Sequence, residues 1–88
     1  MFNSHGDFGA AMFKTWTEEQ QRAEIGKLVT GYRNGLPLGV LFKMAETIAG
    51  SQEKAREHLQ HFLTPKERKQ AIARESGGMK ILAEELLL

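Results

Sequence analysis

From Thr17 onward, apolar residues recur every three or four positions, a spacing that gathers them on one side of an α-helix. Ile25, Leu28, Val29 and Tyr32 keep this period in a first helix opening at Thr15 or Thr17. Thr17 and Gln20 fit a capping box, in which each side chain accepts the other residue's backbone N–H. Glu18 and Glu19 suit the positive end of the helix dipole. Gly35 followed by Pro37 marks the stop. The pattern resumes from about Pro37 to Ala49, with Leu38, Leu41, Phe42, Ala45 and Ile48 on one face and Val40 and Met44 widening the apolar surface. A helix apolar on two sides belongs near the centre of a bundle.

Gly50 ends that helix and Ser51 caps a third, whose buried side is Ala55, Leu59, Phe62 and Leu63. Thr64-Pro65-Lys66-Glu67 is a strong local start signal: Thr as N-cap, Pro at the first helical position with its φ already set, and Glu three residues on to close a capping box. The helix it opens, to about Glu75, offers only Ala71, Ile72 and Ala73 as apolar residues, so it presents a charged surface. Gly77-Gly78 breaks it, and a last helix from Met79 to Leu88 aligns Met79, Leu82, Ala83, Leu86 and Leu87.

Residues 1–14, rich in Gly and Phe, show neither helical nor alternating period and read as a flexible arm, one that could dock through Phe2, Phe8 or Phe13. The expected fold is therefore all-α: a small bundle of four to five short helices over residues 15–88, behind an N-terminal arm. Its expected core is Leu38, Leu41, Phe42, Ile48, Leu59 and Phe62, joined by Ile25, Leu28 and Val29. An 88-residue chain buries only about 60–65% of its unfolded surface, enough for one core and not two.

Charge and composition narrow the functional classes. No cysteine is present, which removes disulfide scaffolds and thiolate metal sites. With no signal-peptide pattern and no run long and apolar enough for a membrane span, the expected location is the cytoplasm and no membrane partner is expected. The net charge is only +1, yet between Lys54 and Arg74 six basic residues (Lys54, Arg56, Lys66, Arg68, Lys69, Arg74) face two acidic ones, Glu57 and Glu67.

Catalytic constellations are missing from the pattern. Asp7-Phe8-Gly9 lacks the other parts of a kinase. Ser4, Ser51 and Ser76 have no histidine and acid at an organising spacing. Glu18/Glu19 and Glu84/Glu85, adjacent on helices, splay by about 100° and cannot share a proton. His58 and His61 stand i, i+3 beside Glu57, but a closed metal site needs further ligands that the sequence does not place, and His5 has nothing to position it. Neither an enzyme nor a metal or other cofactor is expected.

Two functions follow as expectations. The first is a small non-enzymatic interaction protein, an adaptor or inhibitor-like regulator that binds a partner protein or self-associates through the leucine-rich last helix, with Met79, Leu82, Leu86 and Leu87 as its surface. The alternative is a DNA- or RNA-binding regulator using Lys54, Arg56, Lys66, Arg68, Lys69 and Arg74. Two helix-turn-helix alignments fit loosely. Ala73, Gly77, Ala83 and Leu86 give one, whose second helix would present Glu84 and Glu85 to phosphates; Ala45, Ala49 and Ala55 give another, which lacks the turn glycine in register.

Overall fold

The computed structural model describes residues 15–88, which form five α-helices: α1 (Glu18–Arg33), α2 (Leu38–Ala49), α3 (Gln52–Phe62), α4 (Pro65–Arg74) and α5 (Gly77–Leu87). The all-α bundle expected from the spacing is what forms. The expectations for the N-terminal arm, including Phe2, Phe8, Phe13 and His5, lie outside the described residues.

Local capping chemistry sets most of the boundaries. The Thr17 hydroxyl accepts the Gln20 N–H at 3.1 Å while Gln20 Oε1 accepts the Thr17 N–H at 2.8 Å, the reciprocal pair that satisfies donors otherwise orphaned at a helix start. Ser51 caps α3 by accepting the Lys54 N–H at 3.1 Å, directly after Gly50 closes α2 in the left-handed conformation. Thr64 and Glu67 repeat the capping box at α4, with Pro65 in the first turn.

Helix α3 touches α1, α2 and α5, and α2 touches α1 and α3, so these two lie at the middle of the bundle. Helix α2 buries six residues: Leu38, Leu41, Phe42, Ala45, Ile48 and Ala49. They meet Ile25 and Val29 from α1, Ala55 and Leu59 from α3, and Ala83, Leu86 and Leu87 from α5. Helix α4 contributes Ala71 alone, with Ile72 half-buried at the margin.

Two expected core members sit at the edge. Leu28 and Phe62 are half-buried, and Leu63, where the chain turns extended after α3, goes fully inside. The Phe62 ring instead covers Gly26: a Cβ there would lie 2.9 Å from Phe62 Cζ, and the missing side chain is what lets α1 and the end of α3 approach. The Gly77-Gly78 pair also behaves differently from its expected role as a breaker. The break falls at Glu75 and Ser76, and α5 starts at Gly77, whose φ of +60° leads the chain into the helix in a conformation that only glycine adopts without strain.

Among the described residues the core carries two buried polar side chains, Gln21 and His58. Gln21 Oε1 has no hydrogen-bond partner among the described residues. No described helix is long and apolar enough to cross a membrane.

Candidate functional site

The four residues of the expected partner surface do not form one. Leu86 and Leu87 are fully buried in the monomer's own core, and Met79 and Leu82 are half-buried against it. The Met79 methyl reaches Gly39 on α2, 3.0 Å from where a Cβ would stand. The cause is packing: the apolar side of α5 is the side that closes on α3 and α4. What α5 turns outward is Ile81, followed after the helix end by Leu88, 60% and 63% exposed, with Glu84 and Glu85 alongside. On α2, Val40 and Met44 are also exposed, one helical turn apart.

The six basic residues divide by what their side chains already hold. Lys54 pairs with Glu18 across α1 and α3 at 3.0 Å. Arg56 donates to the Leu88 carbonyl oxygen at 2.9 Å, which Gln60 Nε2 also reaches at 3.1 Å, and together they fasten the end of α5 to α3. Arg68 donates to the carbonyls of Leu63 at 2.7 Å and Gln60 at 3.2 Å, so its guanidinium serves the exposed end of α3. The remaining three, Lys66, Lys69 and Arg74, make no ion pair among the described residues.

Those three share one face of α4. Lys66, Lys69, Gln70, Ala73 and Arg74 are all exposed and follow the i, i+3, i+4, i+7, i+8 spacing of a single helical side. No carboxylate interrupts it. Glu67 lies to one side, engaged with Arg33, and Ala73 leaves the middle of the face low. Helix α4 therefore offers a positive surface about two turns long, bordered at Arg74 by Glu75.

The way α4 is fixed explains why its cations stay outward. Having almost no apolar side, it is oriented by polar links. Arg33 at the end of α1 grips Glu67 with two bonds, Nε to Oε2 at 2.8 Å and Nη2 to Oε1 at 2.9 Å, and Nη2 also donates to the Phe62 carbonyl at 3.0 Å. Such fork-to-fork pairs fix geometry as well as charge. The Arg33 hydrogen bonds, followed by the Thr64 backbone N–H, hold the Glu67 carboxyl down at a pKa of about 2, against an ordinary value of 4.5.

The histidines are separately engaged. His58 is buried, and its Nδ1 accepts from Arg22 Nε at 3.2 Å, which places the proton of the neutral ring on Nε2. Burial, then the nearby Arg22 charge, lowers its pKa below the usual 6.5. His61 is exposed and packs edge-on to the Phe62 ring, with centroids 4.9 Å apart. Among the described residues no group of three or more His, Cys, Asp or Glu is arranged to hold a metal ion.

Two open grooves border these surfaces. One, of about 410 Å³, runs between the turn after α1 and the second half of α4, with Tyr32, Leu36 and Pro37 on one wall and Gln70 and Arg74 on the other. The second, of about 400 Å³, lies where α3 begins and α5 ends, and carries Glu53, Glu84 and Glu85 around Arg56 and Leu88. The molecule thus has a basic side at α4 and an acidic one at the tips of α3 and α5. This bears on both helix-turn-helix alignments. Helix α5, second in one of them, shows Glu84 and Glu85 outward, while α3, second in the other, has Lys54 bound to Glu18. The exposed positive helix is α4.

No family model matches this chain, and no curated protein or solved structure matches it.

Proposed function

We propose that this protein is a small non-enzymatic binding domain that contacts the phosphate backbone of a nucleic acid through the exposed face of α4. The observation that carries the reading is the set of three cations, Lys66, Lys69 and Arg74, on one helical side with no carboxylate among them and no ion-pair partner among the described residues. Lys54, Arg56 and Arg68, by contrast, are engaged by a neighbouring acid or by carbonyls. Cations left facing water along one line match a polyanion, whose condensed counterions they displace on binding.

The test is the dependence of affinity on salt. Each phosphate contact contributes a slope of about −0.9 in log K against log salt for duplex DNA and about −0.7 for single strands. Replacing Lys66, Lys69 and Arg74 together by Gln should therefore flatten the slope by roughly two to three units. Replacing Arg68, whose head group is tied to the carbonyls of Leu63 and Gln60, should change stability more than slope. Binding that ignores salt, or ignores the triple substitution, removes the reading.

A second reading, contact with a partner protein or a second copy of the chain, is favoured by Ile81 and Leu88 standing exposed together at the outer side of α5. It predicts concentration-dependent mass in light scattering that an Ile81→Lys substitution abolishes. A constant monomer mass across the concentration range discards self-association.

A further inference from the structure

The groove beside α4 differs in character from the face it adjoins. Its own charges cancel: Arg33 and Arg74 stand against Glu67 and Glu75, and the Arg33–Glu67 pair is already satisfied internally. A bare phosphate gains little there. What the groove does offer is an aromatic ring and an amide. Tyr32 is half-buried, packed on the core with one side and lining the groove with another. Across from it, the Gln70 side chain, which makes no hydrogen bond among the described residues, carries one acceptor and two donors.

The wall opposite α4 is preformed. The turn after α1 is closed by the Leu36 N–H on the Gly31 carbonyl at 2.9 Å and the Gly35 N–H on the Tyr32 carbonyl at 3.1 Å. At about 410 Å³ the groove falls in the range of small-ligand sites. Gln70 and Arg74 belong both to this groove and to the positive face of α4, so a strand lying on that face passes its edge.

From this juxtaposition we infer that the groove receives one unpaired nucleobase of a single-stranded nucleic acid, stacked on Tyr32 and met at its edge by Gln70, while the adjoining phosphates lie on Lys66, Lys69 and Arg74. The inference rests on the backbone-binding reading of α4 and adds strand type to it. A neutral, planar group with hydrogen-bonding edges suits a charge-balanced, aromatic-walled groove, and a cation line beside it suits the phosphates. This is the division of labour by which single strands are held without a paired complement. In a duplex the bases are stacked on one another, and none is free to enter.

The experiment uses the full chain with a short labelled oligothymidylate and, separately, a duplex of equal length, each titrated by anisotropy at several salt concentrations. The single strand should bind more tightly. Tyr32→Leu should weaken that binding about tenfold, as loss of one base stack does, with the salt slope unchanged because no charge is removed. Gln70→Ala, at an exposed position that folding does not use, should weaken it by a smaller factor, and Tyr32→Phe should bind like the parent. On the unmodified chain, the ring resonances of Tyr32, its single tyrosine, should move upfield when the single strand is added. That last readout holds even if Tyr32→Leu fails to fold. Equal affinity for strand and duplex, or an unmoved Tyr32 ring in a bound complex, overturns the groove assignment while a surviving salt slope keeps the α4 reading. No binding of either probe overturns both.

Discussion

Helices α2 and α4 are close in length and attached to the same small molecule by opposite means. Helix α2 buries six side chains and has no side-chain cap at its start, so it is held by the removal of apolar surface from water. Helix α4 buries Ala71 alone and is held by a capping box, the Arg33–Glu67 fork and the Arg68 bonds to the end of α3. Apolar burial is non-directional and leaves a helix free to settle wherever its oily side is covered. Hydrogen bonds and ion pairs are directional, so they can fix which way a polar helix faces, and they leave its outer side clear for other work. The structural helix and the helix proposed to bind ligand differ in this respect more than in length or capping sequence.

The contrast predicts a ranking of effects. Phe42→Ala, deep in the α2 contact, should cost about 3–5 kcal/mol, as large-to-small core changes do, and chemical denaturation should show the whole domain destabilised. A cost under about 1 kcal/mol would mean that α2 is not the apolar anchor of the bundle. Thr64→Ala should cost about 1 kcal/mol, the usual loss of an N-cap, and hydrogen exchange should speed up first in the opening turn of α4. Acceleration of α2 amides to the same degree would erase the distinction between the two helices.

Acid should discriminate more finely. Because the folded pKa of Glu67 is about 2 and an unpaired carboxyl titrates near 4.5, the unfolded chain takes up that proton first, and stability is lost progressively as pH falls from about 4.5 toward 2. Buried His58, whose folded pKa is depressed, gives a separate loss that begins as pH drops below about 6.5. Melts of Glu67→Gln should show a smaller lower limb, part of it left to Glu18 beside Lys54, and keep the upper one. Last and smallest, Lys69→Ala should leave stability within about 0.5 kcal/mol while reducing nucleic-acid affinity. A larger folding effect would mean that this side chain has a structural task.

Much of the fold was legible because its signals are local. The pairs Thr17 with Gln20, Ser51 with Lys54 and Thr64 with Glu67 each lie within three residues, and such contacts form whatever the rest of the chain does. Sequence pattern and structure part where the outcome depends on distant neighbours. Whether Phe62 or Leu63 is the buried member of an apolar pair is decided by the turn into α4 and by the space over Gly26. Whether Leu86 and Leu87 remain available to a partner depends on how completely α3 and α4 close over α5, which helical spacing cannot report. In the basic stretch, formal charge did not separate Lys66, Lys69 and Arg74 from the cations engaged by Glu18, Leu63 and Leu88. Arg33 and Glu67 lie 34 residues apart, and Tyr32 and Gln70 are brought to one groove only by the packing, so neither pairing has a sequence signature.

Glu67 Oε1 accepts both the Thr64 N–H at 3.0 Å and the Arg33 guanidinium at 2.9 Å. A single oxygen thereby joins the opening of one helix to the closing of another, and two residues that share no hydrogen bond become thermodynamically linked. In a double-mutant cycle, the costs of altering Thr64 and Arg33 should fall short of adding up, because whichever loss comes first loosens the carboxylate on which the other depends.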